Sequence, residues 1–421
     1  MNKPSAPAAE YPANIPFLDN AGWRDRYDKL FTPNYGARRL ALVRGEGTRV
    51  WDADGNEYLD FLTGISVNNL GHCHPRITAA IREQAATLVH CSNHYYIPQQ
   101  IELAQMLIDH SFADRLVFGN SGAEANEAAI KIARRWQKET RGPGHHEIIS
   151  FTGSFHGRTL ATLTATGQEK VKLNFDPLPE GFVHAEYNNL DSVRAALSDR
   201  TGAILVEPIT GEGGIHIATN EFLRGLRELC DERGLLLIFD EIQCGLGRTG
   251  TLFAYEQYGV EPDIMTLAKS LGGGLAMGVM LCTEAVAGAF APGAHGSTMA
   301  GNPLTAAAGR AYLAELIEGG WPGKARRMGE KILQRLRETT AGMRRVKEVR
   351  GRGLMLAVEL TDGAPDVLLA CERAGLLVNV TAGQVVRLLP PLNVSEAEVE
   401  RALAILVEAI ATAPAAAGGA A

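Results

Sequence analysis

A chain of 421 residues, 46% hydrophobic and 21% charged, has the composition of an ordinary globular protein and is long enough for one very large or two unequal domains. Its net charge of −7 has the wrong sign for a chain whose main partner is nucleic acid. The six cysteines (Cys73, Cys91, Cys230, Cys244, Cys282 and Cys371) form no C-x-x-C pair, the N-terminus has no apolar signal region, and the longest apolar stretch, Leu271 to Ala294, is broken by Glu284 and glycines. A reduced, cytoplasmic protein without a membrane span is therefore expected.

The first fifteen residues are rich in Pro and Ala and are expected to be loose. From Leu40 to Phe61 the pattern predicts a hairpin with Asp54-Gly55 at its turn. A loop of small and polar residues follows, and Pro75 opens a helix running through Leu88. A second helix, Pro98 to His110, is expected to turn Ile101, Leu103, Met106 and Leu107 towards a core. From Leu116 the rhythm becomes strand, loop, helix. Strands are predicted at Leu116–Phe118, Glu147–Phe151, Ala203–Glu207, Leu235–Asp240, Ile264–Leu267 and Gly278–Cys282. A helix at Glu221–Arg233 has Asn220 as its expected N-cap, Leu223, Leu226 and Leu229 on one face, and Gly234 to stop it. This alternation predicts a mostly parallel sheet with helices on both sides. After a helix near Asn302–Ile317 the chain turns α+β, with strands at Leu354–Leu360 and Val385–Leu389. A capping box from Ser395 to Glu398 opens the last helix, and the Ala/Gly-rich tail from Ala413 is expected to be disordered. The division that follows is a large domain over 71–309 and a small one combining 1–70 with 310–421.

Chemistry concentrates at the strand ends, where ligands sit in open α/β sheets. The apolar run Leu235–Phe239 stops at Asp240-Glu241. The run Ile264–Ala268 stops at Lys269, followed by Ser270 and the glycines Gly272–Gly274, in which no G-x-G-x-x-G fingerprint is present. An amine at a strand end, beside backbone only glycine permits, suits a lysine bound covalently to a carbonyl cofactor. A third strand end opens the helix at Gly122. Free backbone N–H groups and the helix dipole would make that N-terminus an anion site, although Ser121 to Glu124 also reads as a plain capping box. Phe155 offers a ring to stack on a flat cofactor, and Arg158 a fork for a carboxylate. Glu207-Pro208-Ile209-Thr210-Gly211-Glu212-Gly213-Gly214 follows a further strand. The histidines and cysteines at His72-Cys73-His74 and at His90-Cys91 with His94 match no common zinc spacing, so no metal is expected.

Taken together and in this order, Ser-Gly-Ala-Glu-Ala-Asn-Glu-Ala-Ala, Phe-His-Gly-Arg-Thr, Val-Glu-Pro-Ile-x-Gly-Glu-Gly-Gly, Asp-Glu-Ile-Gln-x-Gly-x-Gly-Arg-Thr-Gly, Lys269 and His-Gly-Ser-Thr-x-x-Gly-Asn-Pro-Leu resemble the class III aminotransferases, pyridoxal-phosphate enzymes of fold type I. The resemblance runs from Arg44 to Leu406. It is closest to the acetylornithine/succinylornithine branch, through the loop Gly64 to Pro75 and through Leu377 to Thr381 with Arg387 to Leu392. It implies that Lys269 forms the Schiff base with pyridoxal 5'-phosphate and then moves the proton, and that Asp240 pairs with the pyridine nitrogen. It implies a phosphate held by Ser121, Gly122 and Ala123 with Thr298 of a second subunit, hence a homodimer. Phe155 would stack on the ring, with His156 among the cofactor residues and Gln243 near the phenolic oxygen. Arg387 would take the α-carboxylate of glutamate or 2-oxoglutarate, masked by Glu212 when not needed, and Arg158 and Ser297 would complete the substrate site.

The implied reaction moves the side-chain amine of N-acetylornithine to 2-oxoglutarate in a ping-pong cycle within arginine biosynthesis. Succinylornithine, 4-aminobutyrate or another ω-amine is the alternative within the class, and a non-catalytic binding protein on the same fold the alternative outside it. Two departures bear on the substrate: Thr210 replaces a common glutamine, and Leu275-Ala276-Met277 the usual Phe-Pro-Ile. Ile65 stands where ornithine aminotransferases tend to carry an aromatic that binds ornithine, which argues against free ornithine.

Overall fold

A computed structural model describes residues 17–414; the first sixteen residues and the tail beyond Pro414, for which disorder was expected, lie outside the described residues. The molecule is built on a seven-stranded sheet. Its order is Arg115–Gly119, Gly278–Cys282, Ile264–Leu267, Leu236–Asp240, Thr201–Val206, Glu147–Phe151, Phe182–Ala185. Every strand runs parallel except Gly278–Cys282, which is antiparallel to both neighbours. The five inner strands are buried at every residue. Burial on both faces is why they read as unbroken apolar runs rather than alternating ones. Parallel direction also sends the carboxyl ends of six strands to one edge, so Asn120, Ala268, Asp240, Glu207, Thr152 and Glu186 follow one another along a single rim.

Gly122–Arg141 packs its small face, Ala125, Ala129 and Ala133, against this sheet. Pro75–Ala85 and Pro98–Asp109 pack on Pro303–Glu318. The smaller part centres on an antiparallel sheet ordered Val346–Arg352, Met355–Leu360, Val385–Leu388, Asn379–Thr381. The N-terminal strands Leu42–Glu46, Arg49–Asp52 and Glu57–Asp60 form a separate sheet that Leu376–Leu377 joins in parallel, tying the start of the chain to its end.

Most predicted strands appear within two residues of their expected bounds, and the differences have local reasons. The edge strand Phe182–Ala185 is only half covered and was not anticipated, because it lacks the continuous apolar run of its neighbours. The expected hairpin is three strands, with the turn at Asp54-Gly55 kept and Gly55 at φ 87°. The helix Asn20–Leu30 was not anticipated; it carries Trp23, Tyr27 and Leu30 on one face but buries no residue. The helix from Pro75 ends at Ala85, short of Leu88, and Ile101 is 52% exposed rather than in the core. Asn220 is the first helical residue; the cap is Thr219, whose hydroxyl accepts from the Phe222 N–H at 3.1 Å. Ser395 and Glu398 do form a reciprocal box, at 3.0 and 3.3 Å.

Candidate active site

At the rim of the large sheet lies a cavity of about 550 Å³, inside the usual range for a small-molecule site. The structure brings Ser121, Gly122, Ala123, Phe155, His156, Arg158, Glu212, Asp240, Gln243 and Lys269 around it. Leu275, Ala276 and Met277 form part of its wall, whereas Thr210 does not: its hydroxyl is turned back to accept from the His216 N–H at 2.9 Å. Val67 rather than Ile65 lines the cavity on the side of the loop after the N-terminal strands.

The turn before Gly122–Arg141 is shaped as an anion cradle. Ser121 caps the helix by accepting from Glu124 N–H at 3.2 Å. Glu124 does not return the bond to Ser121; its carboxylate takes the Asn120 N–H at 2.6 Å and the Asn120 amide at 2.8 Å. The first-turn N–H groups of Gly122 and Ala123 therefore keep the dipole's positive end for a ligand. Close packing dictates the glycine: a Cβ on Gly122 would stand 2.8 Å from Ile242 Cδ1.

Asp240 is held rigidly at its strand end. Its Oδ2 accepts from Asn126 Nδ2 and from His156 Nδ1, each at 2.8 Å, and Oδ1 from the Ile242 N–H at 3.1 Å. Asn126 is itself fixed by Thr266, whose hydroxyl donates to Asn126 Oδ1 at 2.8 Å. Asn126 went unassigned at the level of sequence, although a signal existed: an amide one turn into the helix, on the same buried face as Ala125 and Ala129, must find a partner. On the other side His156 Nε2 is buried and has no hydrogen-bond partner among the described residues.

Lys269 sits at φ 49°, in the left-handed region that costs a non-glycine residue about 1 kcal/mol or more. Such strain is held in place by the surrounding turn, with Gly273 and Gly274 also at positive φ. Burial pushes the Lys269 ammonium down to about 8, the Arg387 cation pushing the same way and Glu212 and Asp240 opposing it.

Arg387 is fully buried behind Gln243. Its Nε donates to Asn379 Oδ1 at 3.0 Å, while Nη1 faces the Gly211 carbonyl at 3.0 Å, Gln243 Oε1 at 3.1 Å and Glu212 Oε1 at 2.6 Å. Nη2 has no partner. Burial tends to raise the Glu212 carboxyl, but the charge and hydrogen bond of Arg387 outweigh it and hold the group below the usual range. Arg158 lies on the exposed side, 5.5 Å from the centroid of the Phe155 ring. Glu207, unassigned from the sequence, joins two walls of the site: its carboxylate accepts from Phe155 N–H at 3.0 Å and Gly211 N–H at 2.9 Å. Burial lifts it to about 7.

Three expected site residues do not line the cavity: Arg387, buried beside it, and Ser297 and Thr298. The Ser297 hydroxyl accepts from Asn120 Nδ2 at 3.0 Å, at the edge of the anion cradle. Thr298 is exposed, next to Met299.

This sheet, with a lysine and an acid on adjacent strand ends and a smaller domain packed alongside, is the α/β architecture of pyridoxal-phosphate enzymes of fold type I. The chain belongs to the class III aminotransferases: that family's model, "Aminotransferase class-III", matches residues 31–410. It is 49% identical to the acetylornithine aminotransferase of Caldanaerobacter subterraneus, covering 90% of this chain and 96% of that protein. With the acetylornithine aminotransferase of Methanocaldococcus jannaschii it shares 45% identity over 93% and 98% of the two chains. Among solved structures, the ornithine aminotransferase of Toxoplasma gondii superposes with a TM-score of 0.91 at 34% identity, over 94% and 95% of the chains. The chain is a pyridoxal-phosphate-dependent aminotransferase of the acetylornithine/ornithine branch.

Proposed function

We propose that this enzyme transfers the side-chain amino group of N-acetylornithine to 2-oxoglutarate in two half-reactions, giving N-acetylglutamate semialdehyde and glutamate, as a step of arginine biosynthesis. The observation that carries the proposal is the buried Arg387, paired with Glu212 at 2.6 Å yet with Nη2 left without a partner. Glutamate presents an α-carboxylate beside its reacting carbon, which a free Arg387 can take in a two-point grip. N-acetylornithine presents only methylenes there, and an unpaired buried guanidinium against them is costly. One acid that covers and uncovers Arg387 lets a single pocket serve both amines.

The residues present fit pyridoxal phosphate. Ser121, Gly122 and Ala123 offer the phosphate cradle, Phe155 a face for the ring, Asp240 a carboxylate for the ring nitrogen, and Gln243 a polar contact for the phenolic oxygen. The orphaned His156 Nε2 supports a polar group of the ligand nearby. When bound, the cofactor supplies a carbonyl to receive the amine and a ring that takes up electrons from the substrate carbon. Asn126 and His156 hold Asp240 aimed. Lys269, whose ammonium burial brings down to about 8, would hold the cofactor covalently and then carry the proton between carbons. Arg158 and Ser297 are assigned to the distal part of the substrate.

A second subunit completes the site in this reading. Thr298 lies on an exposed segment beside Met299, and Asn93 ties that segment to the loop of Tyr95 and Tyr96, which are 73% and 94% exposed. Large exposed aromatics of this kind mark an interface. N-acetylornithine is favoured over free ornithine by the curated relatives at 45–49% identity; Ile65, which does not line the cavity, adds nothing to that preference.

The test is single-turnover kinetics of Glu212→Ala with N-acetylornithine, ornithine, 4-aminobutyrate and glutamate, each alone. N-acetylornithine is expected to be the best ω-amine of the wild type and to suffer a selective loss in the variant, with glutamate spared. Equal losses for N-acetylornithine and glutamate would rule out the switch, and a wild-type preference for another ω-amine would rule out the substrate.

A further inference from the structure

The turn Gly211–Gly214, which carries Glu212, is gripped from three directions. Its stem is closed by its own chain, through Thr210 N–H to the His216 carbonyl at 3.0 Å and Ile215 N–H to the Thr210 carbonyl at 3.1 Å. From the large sheet, Glu207 accepts the Gly211 N–H, and Gly213 lies so near the turn at Gly153 that a Cβ would stand 2.5 Å from the Gly153 carbonyl oxygen. From the smaller sheet, three side chains donate to three of the turn's carbonyls. Arg387 reaches Gly211, the Thr381 hydroxyl reaches Glu212, and Arg350 reaches Gly214 through Nε at 3.0 Å and Nη2 at 2.7 Å.

Arg350 is built for this contact. It is buried, and its remaining terminal nitrogen is taken by Glu348 and Glu359, from its own strand and the next. Those two acids balance its charge and orient its fork, leaving two donors aimed at one backbone oxygen. Neither Arg350 nor Thr381 lines the cavity.

We infer that Arg350 and Thr381 are positioning residues for amine specificity: they clamp the backbone of the Gly211–Gly214 turn, so that Glu212 covers and uncovers Arg387 by rotating its side chain alone. The inference rests on the switch proposed above and specifies its moving part. With the turn's carbonyls held at Gly211, Glu212 and Gly214, the part left free is the Glu212 side chain, which is 29% exposed and whose hold on Arg387 is one ion pair. A rotor on a fixed axle returns to the same place each cycle. A loosened turn lets the carboxylate drift and leaves Arg387 bare when the methylenes of an ω-amine arrive. Glutamate displaces Glu212 in any case, so its half-reaction does not depend on where the acid rests. The clamp therefore acts on one half-reaction and not the other.

The test uses the holoenzyme in single-turnover experiments with N-acetylornithine and with glutamate. Arg350→Met and Thr381→Val are each measured alone and combined with Glu212→Ala. Arg350→Met is expected to lower the N-acetylornithine rate relative to the glutamate rate about tenfold, equivalent to ~1.4 kcal/mol, and Thr381→Val to lower it less. In the Glu212→Ala background neither substitution should shift the ratio further, because the group they position is gone. Equal losses in both half-reactions, or an undiminished shift in the Glu212→Ala background, would show that these residues merely join the two sheets and would overturn the inference. A skewed ratio in Glu212→Ala with no skew in either clamp variant would refute the clamp and leave the switch standing; no skew in Glu212→Ala would remove both. Thr381→Val, which replaces a hydroxyl by a methyl of similar size, carries the test if Arg350→Met does not fold.

Discussion

Arg248 and Arg387 are both fully buried, and the difference between their partners separates the frame of this molecule from its site. Arg248 spends its donors on neutral oxygens: Ser66 Oγ at 3.0 Å, the Leu354 carbonyl at 3.0 Å, the Pro390 carbonyl and Asn69 Oδ1. Those partners come from the loop after the N-terminal strands, from the turn between the first two strands of the smaller sheet and from the segment after Val385–Leu388. Burial pushes the Arg248 guanidinium down to about 9, still charged at neutral pH. Arg387 has a partly exposed carboxylate partner and, among the described residues, a terminal nitrogen with none. Buried donors are normally paired, so a fully paired cation marks a joint and an unpaired one marks a place for a ligand.

The largest effect expected from this contrast is on stability. Arg248→Met leaves several buried acceptors unsatisfied at once, and should cost roughly 3–5 kcal/mol of unfolding free energy. Denaturant unfolding of the holoenzyme measures it, and a loss below about 1 kcal/mol, the size of an ordinary substitution, would mean that Arg248 is no joint. Arg387→Met should shift the balance towards function. Glu212, partly exposed, can meet solvent, but the Gly211 carbonyl, Asn379 and Gln243 lose their donor, so unfolding should cost about 1–3 kcal/mol, less than for Arg248→Met, whereas the glutamate half-reaction should slow about a hundredfold, as expected for losing a charged hydrogen-bonding partner worth ~2–3 kcal/mol. Its N-acetylornithine half-reaction should fall far less. If Arg387→Met unfolds the protein as readily as Arg248→Met, the distinction between the two arginines collapses.

The sequence itself showed part of this contrast. Asp240 and Lys269 were legible because unbroken apolar runs mark inner strands and the first polar residue after each marks the rim. Glu241, the very next acid, shows the limit of such reading. Its carboxylate turns away from the cavity to accept from the Ala254 and Tyr255 N–H groups, at 2.6 and 2.7 Å, and burial lifts it to about 8. Only the direction of the side chain separates the two, and that is fixed by strand pairing. Asn126, Glu207 and Arg350 were not legible as site residues for the same reason: each acts on a group more than twenty residues away in the chain, through a contact that exists once the sheets have formed. Arg248 was visible inside a motif, yet nothing in the motif says that a buried arginine will meet carbonyls rather than an acid.

The smallest expected effect tests whether Arg387, unlike Arg248, is felt electrostatically at Lys269. Capture of pyridoxal phosphate by the apoprotein needs a neutral Lys269 amine, so its rate should rise with pH and level off above about 8 rather than near the ordinary 10.5. Burial is the first cause of that depression and the Arg387 cation the second, with Glu212 opposing. Arg387→Met should therefore move the midpoint up, Glu212→Gln should move it down, and Arg248→Lys, which keeps the charge, should leave it in place. The same shift has a signature in stability. A lysine whose folded pKa is lowered binds its proton less readily than the unfolded chain does, so between about 8 and 10.5 the unfolded state takes up more protons and the apoprotein gains stability as pH rises. Lys269→Met should lack that gain. Unfolding of the two apoproteins across this pH window measures it, and parallel curves would mean that Lys269 keeps an ordinary pKa and that its readiness to react comes from position alone.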